Sequence, residues 1–235
     1  MKGFIILGLS VSSVLSAQTD STQIKEIQEV SFTRRLPVSK EIINVQKDLG
    51  SKNLGQDLPI LLKNQMSVVA TSDAGNGVGY TGFRIRGSAG TSINVMLNGV
   101  PYNDSESQGT FFVNIPDMAS SASQIVIQRG VGTSSNGTAS FGASVNILTK
   151  NPDEKPYVLG QFSAGSFNTM KTSFEAGSGK FLNNLLSVSA RYSTINSDGY
   201  IDRAFSKLNS YNINALFEKG NTKLRFLAFG GKEKT

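Results

Sequence analysis

Apolar and polar residues alternate along the carboxyl-terminal third of the chain. Between positions 169 and 176, for example, Met170 and Phe174 alternate with Lys171 and Ser173. The same period of two recurs over residues 186–193, 210–218 and 223–229. Because successive side chains of a β-strand point to opposite faces, the pattern predicts long strands with one apolar and one polar face.

Strands with two unlike faces occur in two kinds of fold. A soluble β-sandwich packs its apolar face inward and exposes its polar face to water. A membrane β-barrel turns the apolar face to lipid and the polar face to its interior, with strands of about ten residues. Export of the chain, strand length and glycine-bearing turns favour the barrel, and the sandwich is the alternative.

The connections between these strands alternate in length. Tight turns are predicted at residues 177–179 and 220–221, and a longer loop at residues 196–207. Outer-membrane barrels have short turns at one end and long loops at the other. A single-chain barrel closes with about eight strands or more, so the roughly five strands after residue 152 predict an incomplete barrel.

The first residues have the order of a secretory signal peptide. Lys2 precedes an apolar stretch from position 4 to position 15, and Ala17 supplies a small residue at the cleavage point. This order predicts export, with a signal peptide over residues 1–17. No other apolar run approaches the ~20 residues of a membrane helix. A mature chain within a membrane would therefore cross it as a barrel.

Residues 18–47 form a polar segment with one short β-like pattern. Ile27, Val30 and Phe32 supply its apolar positions, and no adjacent strand is predicted to pair with them. An unpaired extended segment is suited to join the sheet of a partner protein. A disordered leader is the alternative interpretation.

Residues 48–151 have the pattern of a small mixed α/β domain. Proline at position 59 suits the first turn of a short helix. Asn98 and Gly99 form a strong hairpin-turn signal. Short strands are predicted at residues 68–70, 82–86, 93–97, 124–128 and 144–149.

Composition excludes several classes of chemistry. The 235 residues include no His, no Cys and no Trp, and the net charge is +6. Zinc fingers, haem or iron–sulfur ligation, disulfides and catalysis by His or Cys are therefore excluded. No cofactor and no metal site is predicted. The basic residues are scattered singly, which predicts a solvated surface and no nucleic-acid partner.

Two short motifs suggest chemistry that their context does not support. Residues 77–82 fit the glycine pattern of a dinucleotide-binding loop, but the alternating residues that follow predict a strand where that loop requires a helix. Asp104 and Glu106 form the one close acidic pair that an exported enzyme would use. A solvated turn after Pro101 explains the pair better, so the chain is not expected to be an enzyme.

Several motifs together resemble those of a TonB-dependent outer-membrane receptor. Residues 83–87 resemble a strand of the plug domain of this family, residues 94–101 its hairpin, and residues 125–130 its strand ending in Arg-Gly. Residues 137–150 follow its glycine-rich signature, and residues 196–200 the start of an outer loop. The motif glycines are Gly87, Gly99, Gly130, Gly137 and Gly142. Asn98, Val131 and Ala143 replace the usual Asp, Pro and Gly, which affects local turns.

The resemblance implies a fold and a partner. It implies a mixed α/β plug domain followed by the first antiparallel strands of a transmembrane barrel, which has roughly 22 strands in complete members of the family. It also implies that the β-like segment is a TonB box, the strand that pairs with the periplasmic protein TonB. That box comprises Ile27, Gln28, Glu29, Val30, Ser31, Phe32 and Thr33, with a register uncertain by two or three residues.

The resemblance further implies a function and site residues. We expect a receptor in the outer membrane of a Gram-negative bacterium, with plug and amino terminus on the periplasmic side. It would import a ferric siderophore-type chelate or cobalamin; a passive porin or surface adhesin is the alternative. Arg84, Arg86 and Arg129 are expected to pair with carboxylates on the barrel wall. The expected ligand-binding residues are Ser88, Tyr102, Asn103, Asp104 and Gln108.

Overall fold

A computed structural model describes residues 39–131 and 140–235. The predicted signal peptide and TonB box lie outside these residues. The chain forms twelve named strands and two short α-helices in the described part: β1 Ser39–Asn44, α1 Leu58–Leu61, β2 Val68–Ser72, β3 Thr81–Ile85, β4 Ile93–Leu97, β5 Val100–Pro101, α2 Met118–Ser121, β6 Ala122–Arg129, β7 Ala143–Thr149, β8 Pro156–Gly165, β9 Thr169–Phe181, β10 Leu186–Ser197, β11 Ser206–Lys219 and β12 Thr222–Lys234.

Residues 39–131 and 140–150, which we call the inner domain, are built on a five-stranded sheet. Its strand order is β1-β6-β7-β4-β5, with β4 and β7 parallel and the other pairs antiparallel. Strands β2 and β3 form a separate antiparallel ribbon. In residues 39–131 and 140–235 no helix is long and apolar enough to cross a membrane.

The core of the inner domain explains why these segments become strands. Branched apolar side chains, which favour extended backbone, fill the space between the sheet and the short helices. The side chains that are almost wholly buried include Ile93, Val95, Ile125, Ile127, Val145 and Ile147. Asn98 and Gly99 both have positive φ, at 52° and 84°, as a tight hairpin turn between β4 and β5 requires. The predicted turn is therefore present.

The sheet begins earlier than the sequence predicts. Strand β1 lies within residues 18–47, the segment predicted to be a linker, and all six of its residues pair with residues 124–129 of β6. Ile43 is 3% exposed in the core, whereas Ile42 is 58% exposed on the other face. As an edge strand with charged positions at Lys40 and Glu41, β1 carries only a weak apolar pattern.

Strands β8 to β12 form a second sheet, which we call the strand wall. Each strand is antiparallel to the next in sequence, so the order is β12-β11-β10-β9-β8. The strands have 10 to 14 residues. The loop between Ser197 and Ser206 is longer than the other connections, and the turn at residues 220–221 is tight, both as predicted.

One predicted turn is wrong. Residues 177–179 lie inside β9, where the pairing with β10 shifts register next to Ser187 and Ser189. Glycine suits a bulge as well as a turn, because both accept unusual backbone angles. The reversal instead uses Leu182, Asn183 and Asn184, all with positive φ.

The strand wall shows the reverse of the burial found in a soluble sandwich. Its apolar face is exposed: Phe174 and Phe226 are each 62% accessible. Its polar face lies against the inner domain and is buried, as the serines at 173, 193 and 210 show. This arrangement is expected of strands whose apolar side meets lipid, and it contradicts the sandwich.

Candidate functional site: the interface between inner domain and strand wall

Asp117 is the centre of the contact between the inner domain and the strand wall. It precedes α2 in a left-handed conformation (φ 53°, ψ 27°). Its carboxylate pairs with Lys171 of β9, at 2.7 Å, and with Arg191 of β10. The Arg191 guanidinium also donates to the Asp117 carbonyl oxygen over 3.0 Å. We call Asp117, Lys171 and Arg191 the ionic cluster.

The ionic cluster is almost completely removed from water. The side chains of Lys171 and Asp117 are 0% exposed, and that of Arg191 is 5% exposed. Burial alone would raise the pKa of Asp117, but the positive charges of Arg191 and Lys171 outweigh it and hold the pKa below its ordinary value. Asp117 is therefore ionised at neutral pH, and its one carboxylate contacts both basic side chains.

Neighbouring hydroxyl and amide groups complete the hydrogen bonding of the ionic cluster. Lys171 Nζ donates to Ser120 Oγ over 2.8 Å, and Arg191 Nε donates to Ser121 Oγ over 2.9 Å. Asn53 donates to Ser120 Oγ over 3.0 Å. Buried charges persist in proteins when their remaining donors and acceptors are satisfied in this way.

A second contact fixes the end of the inner domain. Arg225 of β12 donates to Thr149 Oγ1 and to the Lys150 carbonyl oxygen, each over 2.6 Å. Asn214 of β11 also donates to the Lys150 carbonyl oxygen and accepts from Arg225 Nε. The strand wall therefore holds the chain at the point where it leaves β7.

Asp57 is the second buried acid of the described residues, and it differs from Asp117 because no cation among these residues pairs with it. It lies just before α1 and is 3% exposed. Its Oδ2 accepts from Thr81 Oγ1 over 2.9 Å, while its Oδ1 has no hydrogen-bond partner among the described residues. Burial raises the pKa of Asp57 to about 7, against the opposing effect of the hydrogen bond from Thr81.

Among the described residues, none of the three arginines predicted to pair with the barrel wall forms an ion pair with a carboxylate of the strand wall. Arg129 pairs with Glu41 and donates to the Met66 carbonyl oxygen over 3.0 Å, so its partners belong to the inner domain. A contact of Arg129 with a barrel carboxylate stays a prediction. Arg84 and Arg86 are exposed, and their pairing with a barrel carboxylate stays a prediction.

The motif glycines occupy positions that restrict side chains. Gly87, Gly99 and Gly130 have positive φ. Gly142 is limited by space: a Cβ there would overlap the Ser88 side chain and lie 3.3 Å from the Ser92 carbonyl oxygen. Gly137 lies outside the described residues.

The expected ligand-binding residues have partners within their own region. Asn103 donates to the carbonyl oxygens of Ile93 and Gln108 over 2.9 and 2.7 Å, which shapes the loop that it begins. Tyr102 packs against Phe229 of β12, with ring centroids 6.0 Å apart and ring planes tilted by 53°. These contacts hold Asn103 and Tyr102 in place, and a role of either residue in ligand binding stays a prediction.

Asp104 and Gln108 continue the same loop. The Asp104 carboxylate accepts from the Ser107 backbone over 2.7 Å, and Gln108 donates to the Ser105 carbonyl oxygen over 2.9 Å. Hydrogen bonds from Ser107 lower the pKa of the exposed Asp104. A role of these residues and of Ser88 in ligand binding stays a prediction. The described residues include no group of three or more acidic side chains placed to hold a metal ion.

The sequence does not predict that Asp117, Lys171 and Arg191 form a cluster. Lys171 and Arg191 stand on the polar phase of their strands, which predicts that they face the interior. Asp117, however, lies 54 and 74 positions from these partners. Local patterns in one sequence carry no information on which distant charges meet.

Comparison with known families identifies the inner domain. Residues 33–144 match the family described as the TonB-dependent receptor plug domain. No curated protein sequence matches the chain significantly.

Solved structures show the same fold. The siderophore receptor PirA of Acinetobacter baumannii is 16% identical, with a TM-score of 0.63 over 83% of this chain and 31% of PirA. The pyoverdine outer-membrane receptor FpvA of Pseudomonas aeruginosa is 15% identical, with a TM-score of 0.68 over 84% of this chain and 28% of FpvA. The copper transporter OprC is 12% identical, with a TM-score of 0.65 over 83% of this chain and 30% of OprC.

The chain spans less than a third of the length of these three proteins. Together with the family match, the likeness confirms the predicted fold class, a plug domain followed by antiparallel strands of an incomplete barrel.

Proposed function

We propose that the chain forms part of an outer-membrane receptor for energised import, because residues 33–144 match the TonB-dependent receptor plug domain and the whole described fold resembles that of such receptors. The apolar face of the strand wall meets lipid, and the inner domain and amino terminus face the periplasm. In this proposal the chain consists, in order, of a signal peptide at residues 1–17, a TonB-box segment, the inner domain, and barrel strands after residue 152.

One observation supports this function above others: the inner domain fills the polar side of the strand wall. The buried ionic cluster and the Arg225 contacts join the two parts. A barrel of roughly 22 strands encloses a lumen that needs such a plug. Because a filled lumen does not conduct by diffusion, transport through it requires work, and we assign the delivery of that work to TonB.

The cargo that we propose is a ferric siderophore-type chelate or cobalamin. PirA and FpvA, which share the fold, are described as siderophore and pyoverdine receptors, and OprC as a copper transporter. Tyr102 and Gln108 carry phenol and amide groups, which can hydrogen-bond a polar chelate. Uptake of labelled ferric hydroxamate, ferric catecholate and cobalamin by cells with the complete receptor as their only route would identify the class.

Deleting residues 27–33 from the complete receptor is expected to abolish uptake and leave ligand binding nearly unchanged. The reason is that an extended segment pairs with a partner through its backbone, without contributing to the ligand site. Uptake and surface binding of the same labelled chelate measure the two effects.

Substituting Ser31 by Thr within this segment is the matched control, because it preserves the backbone donors and should preserve uptake. Loss of binding together with uptake would indicate a folding defect. Uptake that continues after the deletion, and that needs no energy, would contradict the proposal and favour a passive porin.

A further inference from the structure

Asp57 organises a loop that connects the inner domain to the strand wall. This loop, residues 73–80 between β2 and β3, is called the bridging loop. The Asp57 backbone N–H donates to the Gly77 carbonyl oxygen over 2.9 Å, and Oγ1 of Thr81, which directly follows the loop, donates to the Asp57 carboxylate over the same distance. Asp57 therefore holds the middle and the end of the loop.

The bridging loop in turn lies against the strand wall. Asn76 donates to Ser197 Oγ of β10 over 2.6 Å, and the Tyr200 N–H donates to the Ala74 carbonyl oxygen over 3.1 Å. Val78 is completely buried and clusters with Ile195 and Leu208. The loop that Asp57 holds therefore contacts β10, β11 and the loop between them. A shift of this loop would alter those contacts.

The charges around Asp57 are unfavourable for a carboxylate. Glu233 of β12 lies opposite Leu208, on the inward side of the wall, and raises the pKa of Asp57 by its negative charge. Glu233 Oε2 is buried without a hydrogen-bond partner among the described residues. From α2, Asp117 acts in the same direction. The nearby cations Lys171 and Arg191 are both engaged by Asp117.

We propose that Asp57 is a proton-controlled positioning residue, which keeps the bridging loop seated on the strand wall when it is neutral and loosens it when it is ionised. A neutral carboxyl tolerates burial beside Glu233, whereas a second negative charge there is penalised by desolvation and repulsion. Opening of the loop exposes Asp57 to water and restores its ordinary affinity for protons. This role does not depend on the identity of the cargo or on TonB.

The direction of the pH effect follows from linkage. The seated loop binds the Asp57 proton more tightly than the open loop does, because the seated pKa is raised to about 7 from 3.8. Seating is therefore favoured most at acid pH, weakens as pH rises toward about 7, and is constant above it. Between about pH 5.5 and pH 7 the opening equilibrium should increase on the order of tenfold.

Hydrogen exchange of the complete receptor in outer-membrane vesicles tests this proposal. Amide protection of the bridging loop, corrected for the intrinsic effect of pH on exchange, is followed from about pH 5.5 to about pH 8.5. In the wild type, the opening equilibrium of the bridging loop should increase on the order of tenfold between about pH 5.5 and pH 7, and amide protection should fall accordingly. Asp57→Asn, which stays neutral, should remain protected throughout. Glu233→Gln should move the loss to lower pH, because removal of the Glu233 charge lowers the pKa of Asp57.

Asp153→Asn, which changes an exposed acid outside the bridging loop, is the matched control and should behave as the wild type does. A wild-type loop whose protection does not change with pH would overturn the proposal, as would an Asp57→Asn loop that still responds. Glu233→Gln provides an independent test if the Asp57 variant fails to fold.

Discussion

Replacing Asp117 by Ala is expected to separate the inner domain from the strand wall. The substitution leaves Lys171 and Arg191 buried without their shared counter-ion. Removal of one partner from a buried ion pair typically costs about 3–5 kcal/mol, because the remaining charge is uncompensated. We expect a lower unfolding temperature of the purified receptor and a higher permeability of cells to large antibiotics that the plugged receptor excludes.

Two further variants separate loss of charge pairing from general damage. Asp153→Ala removes an exposed carboxylate and should change neither quantity. The triple variant Asp117→Leu, Lys171→Met and Arg191→Met replaces the whole cluster by apolar groups of similar size, which is often neutral or stabilising. The triple variant should have a higher unfolding temperature than Asp117→Ala. Wild-type stability and permeability in Asp117→Ala would show that the cluster does not hold the two parts together.

Replacing Phe174 by Arg is expected to prevent normal insertion of the strand wall. Phe174 lies on the exposed apolar face at 62% accessibility, one position from the buried Ser173. A lipid-facing arginine near the bilayer midplane costs about 2–4 kcal/mol. The fraction of the complete receptor that is folded in outer membranes, measured by heat-modifiable migration on gels, should fall. Phe174→Leu, which keeps the face apolar, is the control. Equal folding of the Arg variant would contradict a lipid-facing role.

The strand wall could be predicted because its signal is local. Each strand carries its own alternation, so both its existence and its two faces follow from positions such as Met170 and Lys171. The bulge at Gly179 could not be distinguished from a turn, since its φ of +68° suits either. The true reversal at Leu182 depends on left-handed backbone at a residue type that gives no such signal.

The inner domain and the candidate site were predictable to different degrees. Strands such as β4 and β7 follow from runs of branched apolar residues, whereas β1 is an edge strand whose register is set by pairing with β6. The partners of Asp117 and of Arg129 are distant in sequence. Charge alone predicted that Arg129 needs a carboxylate, but not that Glu41 supplies it.

The central claim, that the apolar face of the strand wall meets lipid while its polar face surrounds the inner domain, is tested most directly on β8. Gln161 and Phe162 are adjacent, exposed and on opposite faces. In the complete receptor, with any cysteine outside these 235 residues replaced, a single spin label can be attached to a Cys introduced at either position and the protein studied in bilayers. The label at position 162 should collide with lipid-dissolved oxygen and that at position 161 with a water-soluble nickel chelate. The opposite pattern, or equal access of the chelate to both positions, would contradict the claim.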